Sequence, residues 1–243
     1  MKYGTWKISS YEPADARALC AAGFSPITAA LLCSRGYRDA GAAREFLSCS
    51  YPLSSPFALL DMDKAAARVK QALSRREHIA VFGDYDVDGI TATCLLTEYL
   101  RSKGGHVTSY IPARLEEGYG LNPIAIDTLK KQGVELIVTV DCGITANHEA
   151  ALCRELGIDL VITDHHECKS ELPQAIALVD PHRKDQPQPV TEMAGVGVAF
   201  KLAAAIEGEQ ETLLDQYCDF LCLGTVAAVS YTHLRAHETT LHL

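Results

Sequence analysis

Short apolar runs alternate with longer stretches of helical spacing through the middle of this 243-residue chain. The runs of strand length are residues 79–83, 107–111, 135–140, 158–163 and 175–179. The stretches with helical spacing are residues 65–75, 90–102, 123–131, 147–156, 195–206 and 211–223. This alternation predicts a doubly wound α/β fold, in which a mostly parallel five-stranded sheet has helices on both faces.

The sequence divides into three parts by pattern. Residues 1–60 contain short helical pieces broken by proline and glycine, including a predicted helix over residues 39–47 with Asp39 as its N-cap. Residues 61–227 contain the alternating strands and helices, and residues 228–243 lack their apolar periodicity. We therefore predict a helical N-terminal segment with a linker, an α/β domain and an unstructured tail.

Composition changes this picture only in detail. Hydrophobic residues make up 48% of the chain and charged residues 22%, without an apolar run near the roughly 18 residues of a membrane span. Because the N-terminus also lacks a signal-peptide core, we expect a cytoplasmic protein with no membrane partner. Nine cysteines without Cys-x-x-Cys spacing favour reduced, mostly buried thiols over a disulfide framework or zinc ribbon.

Acidic residues and histidines directly follow three of the predicted strands. They are Asp84, Asp86 and Asp88 after the first strand, Asp141 after the third, and Asp164, His165 and His166 after the fourth. The carboxyl ends of parallel strands line the ligand crevice of an open sheet, so we expect these side chains to lie at one edge.

Crowded carboxylates repel one another unless cations neutralise them. Two divalent ions bridged by one carboxylate would remove this repulsion and activate a water for phosphoester hydrolysis. Oxygen-rich ligation with imidazoles suits Mn²⁺ or Mg²⁺. The net charge of −9 disfavours a DNA-coating role, but such a site needs carboxylates in any case.

Each stretch also has an ordinary structural interpretation. The DxDxDG pattern could be a calcium-binding EF-hand loop, but the twelfth position from Asp84 is Leu95, where that loop needs Glu. Asp141 alone could be a helix N-cap, and His165 with His166 could be a surface pair. The three stretches taken together favour metal ligation.

The motifs GDYDVDG, VDCG and TDHH, in this order, resemble those of the DHH phosphoesterase superfamily. The segments YIPARLEEGYGLN at 110–122 and AGVGVAFKL at 194–202 resemble its DNA exonuclease branch. The resemblance covers about residues 79–227 and implies a 5′→3′ exonuclease that cuts single-stranded DNA by two-metal hydrolysis in recombination and repair. It also implies a repair helicase or a single-strand-binding protein as partner of the intact enzyme.

The resemblance assigns roles to individual residues. The implied ligands of Mn²⁺ or Mg²⁺ are Asp86, Asp88, Asp141 and His165, with Asp141 as the bridge between two ions. The implied catalytic group comprises His166, which would contact the scissile phosphate, Asp164, which would orient an imidazole, and Asp84. The candidates for substrate binding are Arg114, Tyr119, Asn122, Gly195 and Gly197.

The substrate-binding candidates have alternatives that stay open. Arg114 could instead form a surface salt bridge, and Tyr119 and Asn122 could stabilise a turn. Gly195 and Gly197 could offer a helix N-terminus to phosphate or could simply allow close helix packing, which we favour slightly.

The chain departs from the family at the fourth motif. An Asp is expected after Gly-Thr-Val-Ala, but the sequence has Ala228, which would weaken one of the two metal ions. Residues 228–239 resemble a reading frame of a transposon-type sequencing adaptor, so we expect an adaptor-derived tail. Because the exonuclease branch continues into a second domain that closes over the cleft, we expect a truncated catalytic domain with impaired activity.

Two other functions stay open at this point. One is a phosphodiesterase acting on short oligonucleotides or cyclic dinucleotides, which the segments at 110–122 and 194–202 disfavour. The other is a non-catalytic binding protein with the same fold, which Ala228 favours and the intact acidic and histidine residues disfavour.

Overall fold

A computed structural model of the chain describes residues 9–48, 53–113, 120–187 and 193–228. The described residues divide into two units, one that ends at Leu53 and one that begins at Ser54 and contains the sheet. The first unit holds helices α1 (Pro13–Ala21), α2 (Pro26–Ser34) and α3 (Ala40–Ser48).

The N-terminal unit has its own small core. Its buried apolar side chains are Leu19, Ala29, Leu32, Cys33 and Ala43. The predicted cap of α3 is confirmed, since Asp39 Oδ1 accepts hydrogen bonds from the N–H groups of Gly41 at 2.8 Å and Ala42 at 3.0 Å.

The second unit begins with a 3-10 helix, Pro56–Ala58, and then alternates helices with strands. In chain order these are α4 (Met62–Arg75), β1 (His78–Gly83), α5 (Val87–Ser102), β2 (His106–Tyr110), α6 (Pro123–Lys131), β3 (Leu136–Val140), α7 (Asn147–Glu155), β4 (Asp159–Thr163), β5 (Ala177–Val179), α8 (Gly195–Glu207) and α9 (Glu211–Ala227).

The five strands form one sheet in the order β2-β1-β3-β4-β5, and every neighbouring pair is parallel. Ile79 and Val81 of β1 face a core that includes side chains of α4, α5, α8 and α9. Ala80 and Phe82 face the opposite core, which includes side chains of α6 and α7. The predicted doubly wound fold is confirmed, and burial on both faces explains why the strands are apolar throughout.

The strand order reverses at β1, which lies between β2 and β3. Such a switch point opens a crevice outside the carboxyl ends of the two strands beside it. The fold therefore places the residues that follow β1 and β3 at the mouth of this crevice.

Three further expectations from the sequence can be compared with the structure. All eight described cysteines are free thiols, but three are buried and three are exposed, so the prediction of mostly buried thiols is wrong. None of the described helices has the length and apolar character needed to cross a membrane. The predicted boundary at residue 60 stays a prediction, and all of the predicted tail except Ala228 lies outside the described residues.

Candidate metal centre

The acidic motif after β1 leads into α5, and Asp88 lies in the first turn of that helix. Asp86 is the N-cap of this helix, and its Oδ1 accepts a hydrogen bond from the N–H of Gly89 at 3.0 Å. The helix therefore begins at Val87, earlier than the predicted start at residue 90. Asp84 is 3% exposed, and its Oδ1 has no hydrogen-bond partner among the described residues. Between β1 and α5 there are thus one buried carboxylate, Asp84, and one exposed carboxylate, Asp86.

Asp141 follows β3 in a left-handed backbone conformation, with φ of 60°. That conformation is uncommon for residues other than glycine, although Asp adopts it more often than most. Asp141 is 1% exposed, and neither carboxylate oxygen accepts a hydrogen bond from the described residues. His165 Nε2 lies 2.9 Å from Asp141 Oδ1. Because a buried carboxylate without hydrogen bonds is costly, this geometry suits a ligand of a divalent cation.

Asp164 ties the Asp-His-His triplet after β4 to the loop after β3. Its Oδ1 accepts hydrogen bonds from the N–H groups of His165 at 2.7 Å and His166 at 3.2 Å. The same oxygen lies 2.7 Å from His166 Nδ1, and Oδ2 accepts from the N–H of Ile144 at 2.9 Å. The predicted hydrogen bond between Asp164 and an imidazole is therefore present, and His166 can present only Nε2 to a ligand.

Two overlapping groups of side chains each bring ligand atoms within 4.8 Å of one another. One group is Asp84, Asp86 and Asp141, and the other is Asp141, His165 and His166. The three stretches that the sequence predicted at one edge of the sheet do meet there. Asp141 belongs to both groups, which is the position that a ligand shared between two cations would occupy.

Asp88 lies beside these groups and outside both of them. Its Oδ2 and Oδ1 accept hydrogen bonds from the N–H groups of Gly195 and Val196, each at 2.7 Å, so Asp88 caps the start of α8. His165 Nε2 lies 3.5 Å from Asp88 Oδ2. The role of Asp88 as a metal ligand stays a prediction. The structure shows that Asp88 holds the start of α8 against the site.

The two histidines differ in protonation. The hydrogen bond to Asp164 raises the pKa of His166 to about 9, whereas burial lowers the pKa of His165. Burial alone would raise the pKa of Asp164, but hydrogen bonds from His166 and the Ile144 N–H outweigh it and lower that pKa. At neutral pH His166 is an imidazolium suited to an anion, and His165 is a neutral imidazole suited to a metal.

The carboxylates are strongly disfavoured as anions without a cation. Burial raises the pKa of Asp141 to about 10, and the charges of Asp88 and Asp86 add to this shift. Burial likewise raises the pKa of Asp84 and of Asp88. A divalent cation would favour their ionised forms, and this set of carboxylate oxygens and imidazole nitrogen fits one.

Three of the predicted substrate-binding residues lie in or next to the segment 110–122. Arg114 and Tyr119 lie outside the described residues. Asn122 is the N-cap of α6, and its Oδ1 accepts a hydrogen bond from the N–H of Ala125 at 2.9 Å. This contact favours the turn-stabilising interpretation of Asn122.

Gly195 and Gly197 lie at the start of α8, where their N–H groups already have acceptors. Gly195 donates to Asp88, and Gly197 donates to the carbonyl of Ala194 at 2.8 Å. A Cβ on Gly195 would lie 2.6 Å from the Cβ of Asp141. The structure therefore favours the close-packing interpretation of Gly195. Its N–H group is not available to a phosphate, because it donates to Asp88.

More than half of the chain matches a known family. The model of the DHH family, N-terminal domain, matches residues 78–225, which contain β1 to β5 and all the residues of both groups. The chain belongs to the DHH family. The Asp-His-His sequence at residues 164–166 is called the DHH triplet below.

Its relatives are exonucleases. The single-stranded-DNA-specific exonuclease RecJ of Bacillus subtilis (strain 168) is 45% identical over 210 residues, which cover 86% of this chain and 26% of the relative. RecJ of Escherichia coli (strain K12) is 35% identical over 217 residues, covering 84% and 37%. The crystal structure of RecJ from Thermus thermophilus in complex with Mn²⁺ has a TM-score of 0.71 and 30% identity, covering 91% of this chain and 32% of that chain.

A fourth stretch lies at the same edge, outside the site residues predicted from the sequence. Asp180 directly follows β5 and is fully buried, and its Oδ1 accepts a hydrogen bond from the N–H of His182 at 2.7 Å. His182 Nδ1 lies 2.6 Å from the carbonyl oxygen of His165 in the DHH triplet. The rule that identified Asp84, Asp141 and the triplet would also have identified Asp180, because it follows a predicted strand.

The metal-free DHH chain should lose stability as pH rises. Asp141 has a pKa of about 10 in the fold and about 3.9 in an unfolded chain, so its stabilising contribution is complete below about pH 4 and is lost as pH approaches 10. His166 acts in the same direction, since its pKa is raised to about 9. We expect urea unfolding in the presence of a chelator to give a free energy of unfolding that falls between about pH 5 and pH 9.

Manganese should reverse this dependence, because a cation binds the ionised carboxylates and releases their protons. The stabilisation by Mn²⁺ is therefore expected to grow with pH. The substitution Asp141→Asn should flatten the slope of the metal-free chain. A free energy of unfolding that rises over this pH range without metal would contradict the assignment of a raised pKa to Asp141.

Replacing Gly195 with Ala should distort the site, because the new Cβ would overlap both the Cβ and the Oδ1 of Asp141 at 2.6 Å. We expect G195A to lower the free energy of unfolding by about 1–3 kcal/mol and to weaken Mn²⁺ binding. Gly197→Ala is the matched control, since its Cβ would meet only Met193 at 3.2 Å and Ala favours helix. Equal Mn²⁺ affinity in the two variants, measured by calorimetry, would argue against this contact.

Proposed function

We propose that this chain carries the metal-binding part of a single-stranded-DNA-specific exonuclease that hydrolyses phosphodiester bonds from the 5′ end with Mn²⁺ or Mg²⁺. The observation that carries the proposal is the shared carboxylate of Asp141, buried without hydrogen bonds between two groups of ligand atoms. The names of the RecJ relatives support single-stranded DNA as substrate rather than short oligonucleotides or cyclic dinucleotides. The chain spans only 26% to 37% of these two relatives, so the activity of the whole enzyme is part of the proposal.

The proposed metal ligands come from both groups. Asp84, Asp86 and Asp141 would hold one ion, and Asp141 with His165 would hold the other, with Asp88 close enough to join through its contact with His165. A bound divalent cation would supply Lewis-acid stabilisation of the charge that grows on the phosphoryl oxygens. Weakening of one ion by Ala228 stays a prediction.

His166 is proposed to contact the scissile phosphate rather than a metal. Its Nδ1 is bonded to Asp164, and its raised pKa keeps the ring positively charged at neutral pH. A charged Nε2–H would donate a strong hydrogen bond to a phosphate oxygen. Asp164 orients this ring and sustains its charge, and it does not itself reach the substrate in this proposal.

The test compares His165→Ala with His166→Ala in the full chain. We expect H165A to lose Mn²⁺ affinity together with hydrolysis, and H166A to lose hydrolysis while keeping most of its affinity. The substrate is a 5′-labelled single-stranded oligonucleotide, with duplex DNA and a cyclic dinucleotide as comparisons. The exposed His148 provides the control variant His148→Ala. Hydrolysis of the cyclic dinucleotide in preference to the single strand, or Mn²⁺ affinity unchanged in H165A, would overturn the proposal.

The partners and the location belong to the same proposal. A repair helicase or a single-strand-binding protein as partner, and a cytoplasmic location, stay predictions from the sequence.

The non-catalytic alternative predicts single-strand binding without hydrolysis in wild type and in H166A alike, so the same comparison separates it from the exonuclease.

A further inference from the structure

We propose that His182 is a positioning residue, which fixes the backbone of His165 at the metal centre from a turn held by Asp180. The inference rests on the proposed function above, because it assigns His182 an effect on the metal ligand His165. It concerns a stretch after β5 that lies outside the three motifs.

The contact with His165 is made by a side chain on the peptide carbonyl. His182 Nδ1 lies 2.6 Å from the carbonyl oxygen of His165. A carbonyl oxygen can only accept, so Nδ1 must carry the proton and donate it. This defines the tautomer of a neutral His182 and gives its ring a fixed direction.

The N–H group of His165 is held by a second side chain. It donates to Asp164 Oδ1 at 2.7 Å. Both polar backbone groups of His165 therefore bond to side chains, one from the DHH triplet and one from the turn after β5. With its backbone fixed on both sides, the ring of His165 is directed to Asp141, where Nε2 and Oδ1 are 2.9 Å apart.

The turn that carries His182 is itself braced. Asp180 Oδ1 accepts the N–H of His182, and the N–H of Asp164 donates to the carbonyl of Val179 at 3.0 Å, which joins the ends of β4 and β5. Gln186 Nε2 donates to the carbonyl of Asp180 at 3.0 Å. His182 is thus presented by a held turn, as a support for a metal ligand requires.

Arg183 secures the same turn from its other side. Its Nη1 donates to the carbonyl of Leu178 and to Asp61 Oδ2, each at 2.6 Å, and its Nε and Nη2 donate to the two carboxylate oxygens of Asp185. None of these bonds involves the His182 side chain. If the His182 side chain served only the turn, its removal should leave metal binding unchanged. If it positions His165, its removal should lower the affinity for metal.

The test measures Mn²⁺ affinity by electron paramagnetic resonance in the full chain and its variants. His182→Ala removes the hydrogen bond, and we expect it to lower Mn²⁺ affinity about 10- to 100-fold, as loss of partners behind metal ligands does. His182→Asn should restore wild-type affinity, because its amide N–H stands at the position of Nδ1 and donates to the same carbonyl. His148→Ala is the exposed-histidine control, and thermal unfolding without metal reports whether each variant folds.

The outcomes separate this inference from the proposed function. Wild-type affinity in H182A, even with a lowered melting temperature, would overturn the positioning role and leave the proposed metal centre standing. Equal loss in H182A and H182N would also overturn it, since the hydrogen bond would then not be the cause. Absence of Mn²⁺ binding by the wild-type chain would overturn the proposed function and this inference together.

Discussion

Replacing Asp141 with Asn is expected to remove measurable Mn²⁺ binding from the chain. Asp141 contributes to both groups of ligand atoms, so its loss affects both proposed ions. The loss of Mn²⁺ affinity should be larger than about 10- to 100-fold, which is the usual effect of replacing a residue that hydrogen-bonds to a metal ligand. An amide oxygen can still approach a cation but lacks the charge that would bridge two of them.

The same substitution should leave the metal-free fold at least as stable as wild type near neutral pH. It removes a buried carboxylate whose two oxygens lack hydrogen-bond partners among the described residues and whose pKa is raised to about 10. Calorimetric Mn²⁺ titration and urea unfolding with a chelator measure the two effects separately. Asp127→Asn, at an exposed carboxylate paired with Lys131, is the control. Wild-type Mn²⁺ affinity in D141N would refute the shared-ligand assignment.

Replacing Asp164 with Ala should produce the largest loss of stability. Its carboxylate accepts hydrogen bonds from the N–H groups of Ile144, His165 and His166 and from the His166 ring. Removing this buried carboxylate leaves four donors without their acceptor, and we expect the free energy of unfolding to fall by about 3–5 kcal/mol. Because Asp164 sustains the charge of the His166 ring, the pKa of His166 should also fall towards its ordinary value.

Two controls locate the cause of this loss. Asp164→Asn keeps one acceptor oxygen but loses the charge, so we expect a smaller loss of stability than in D164A. Glu167→Ala changes an exposed neighbour and should leave stability unchanged. Urea unfolding gives the free energies, and nuclear magnetic resonance titration gives the pKa of His166. A loss under about 1 kcal/mol in D164A would contradict the hydrogen-bond network described here.

The sheet and the meeting of the three motifs could be predicted from local patterns. Apolar runs of strand length recur between helical stretches, and parallel strands place whatever follows them at one edge. Asp84, Asp141 and His165 therefore came together by topology alone, although long stretches of chain separate them. Asp180 also follows a predicted strand, but it is not among the predicted site residues because no motif surrounds it.

The roles of single carboxylates could not be predicted, because they depend on contacts between distant segments. Asp88 accepts hydrogen bonds from two N–H groups at the start of α8, which lie more than one hundred residues further along the chain. The sequence leaves the start of α8 open to phosphate, because nothing in it shows that a distant carboxylate accepts hydrogen bonds from these N–H groups. Asp141 has a left-handed φ that local sequence does not require. Exposure of Cys218 and Cys222 depends on which face of α9 packs inward, and so the prediction of mostly buried thiols failed.

The central claim is that Asp141 is a ligand shared between two metal positions at the carboxyl edge of the sheet. The most direct test is anomalous X-ray diffraction from crystals of the full chain grown with Mn²⁺. We predict anomalous density in coordination contact with the Asp141 carboxylate, on the side of Asp84 and Asp86 and on the side of His165. Anomalous density at other carboxylates together with none at Asp141 would contradict the account.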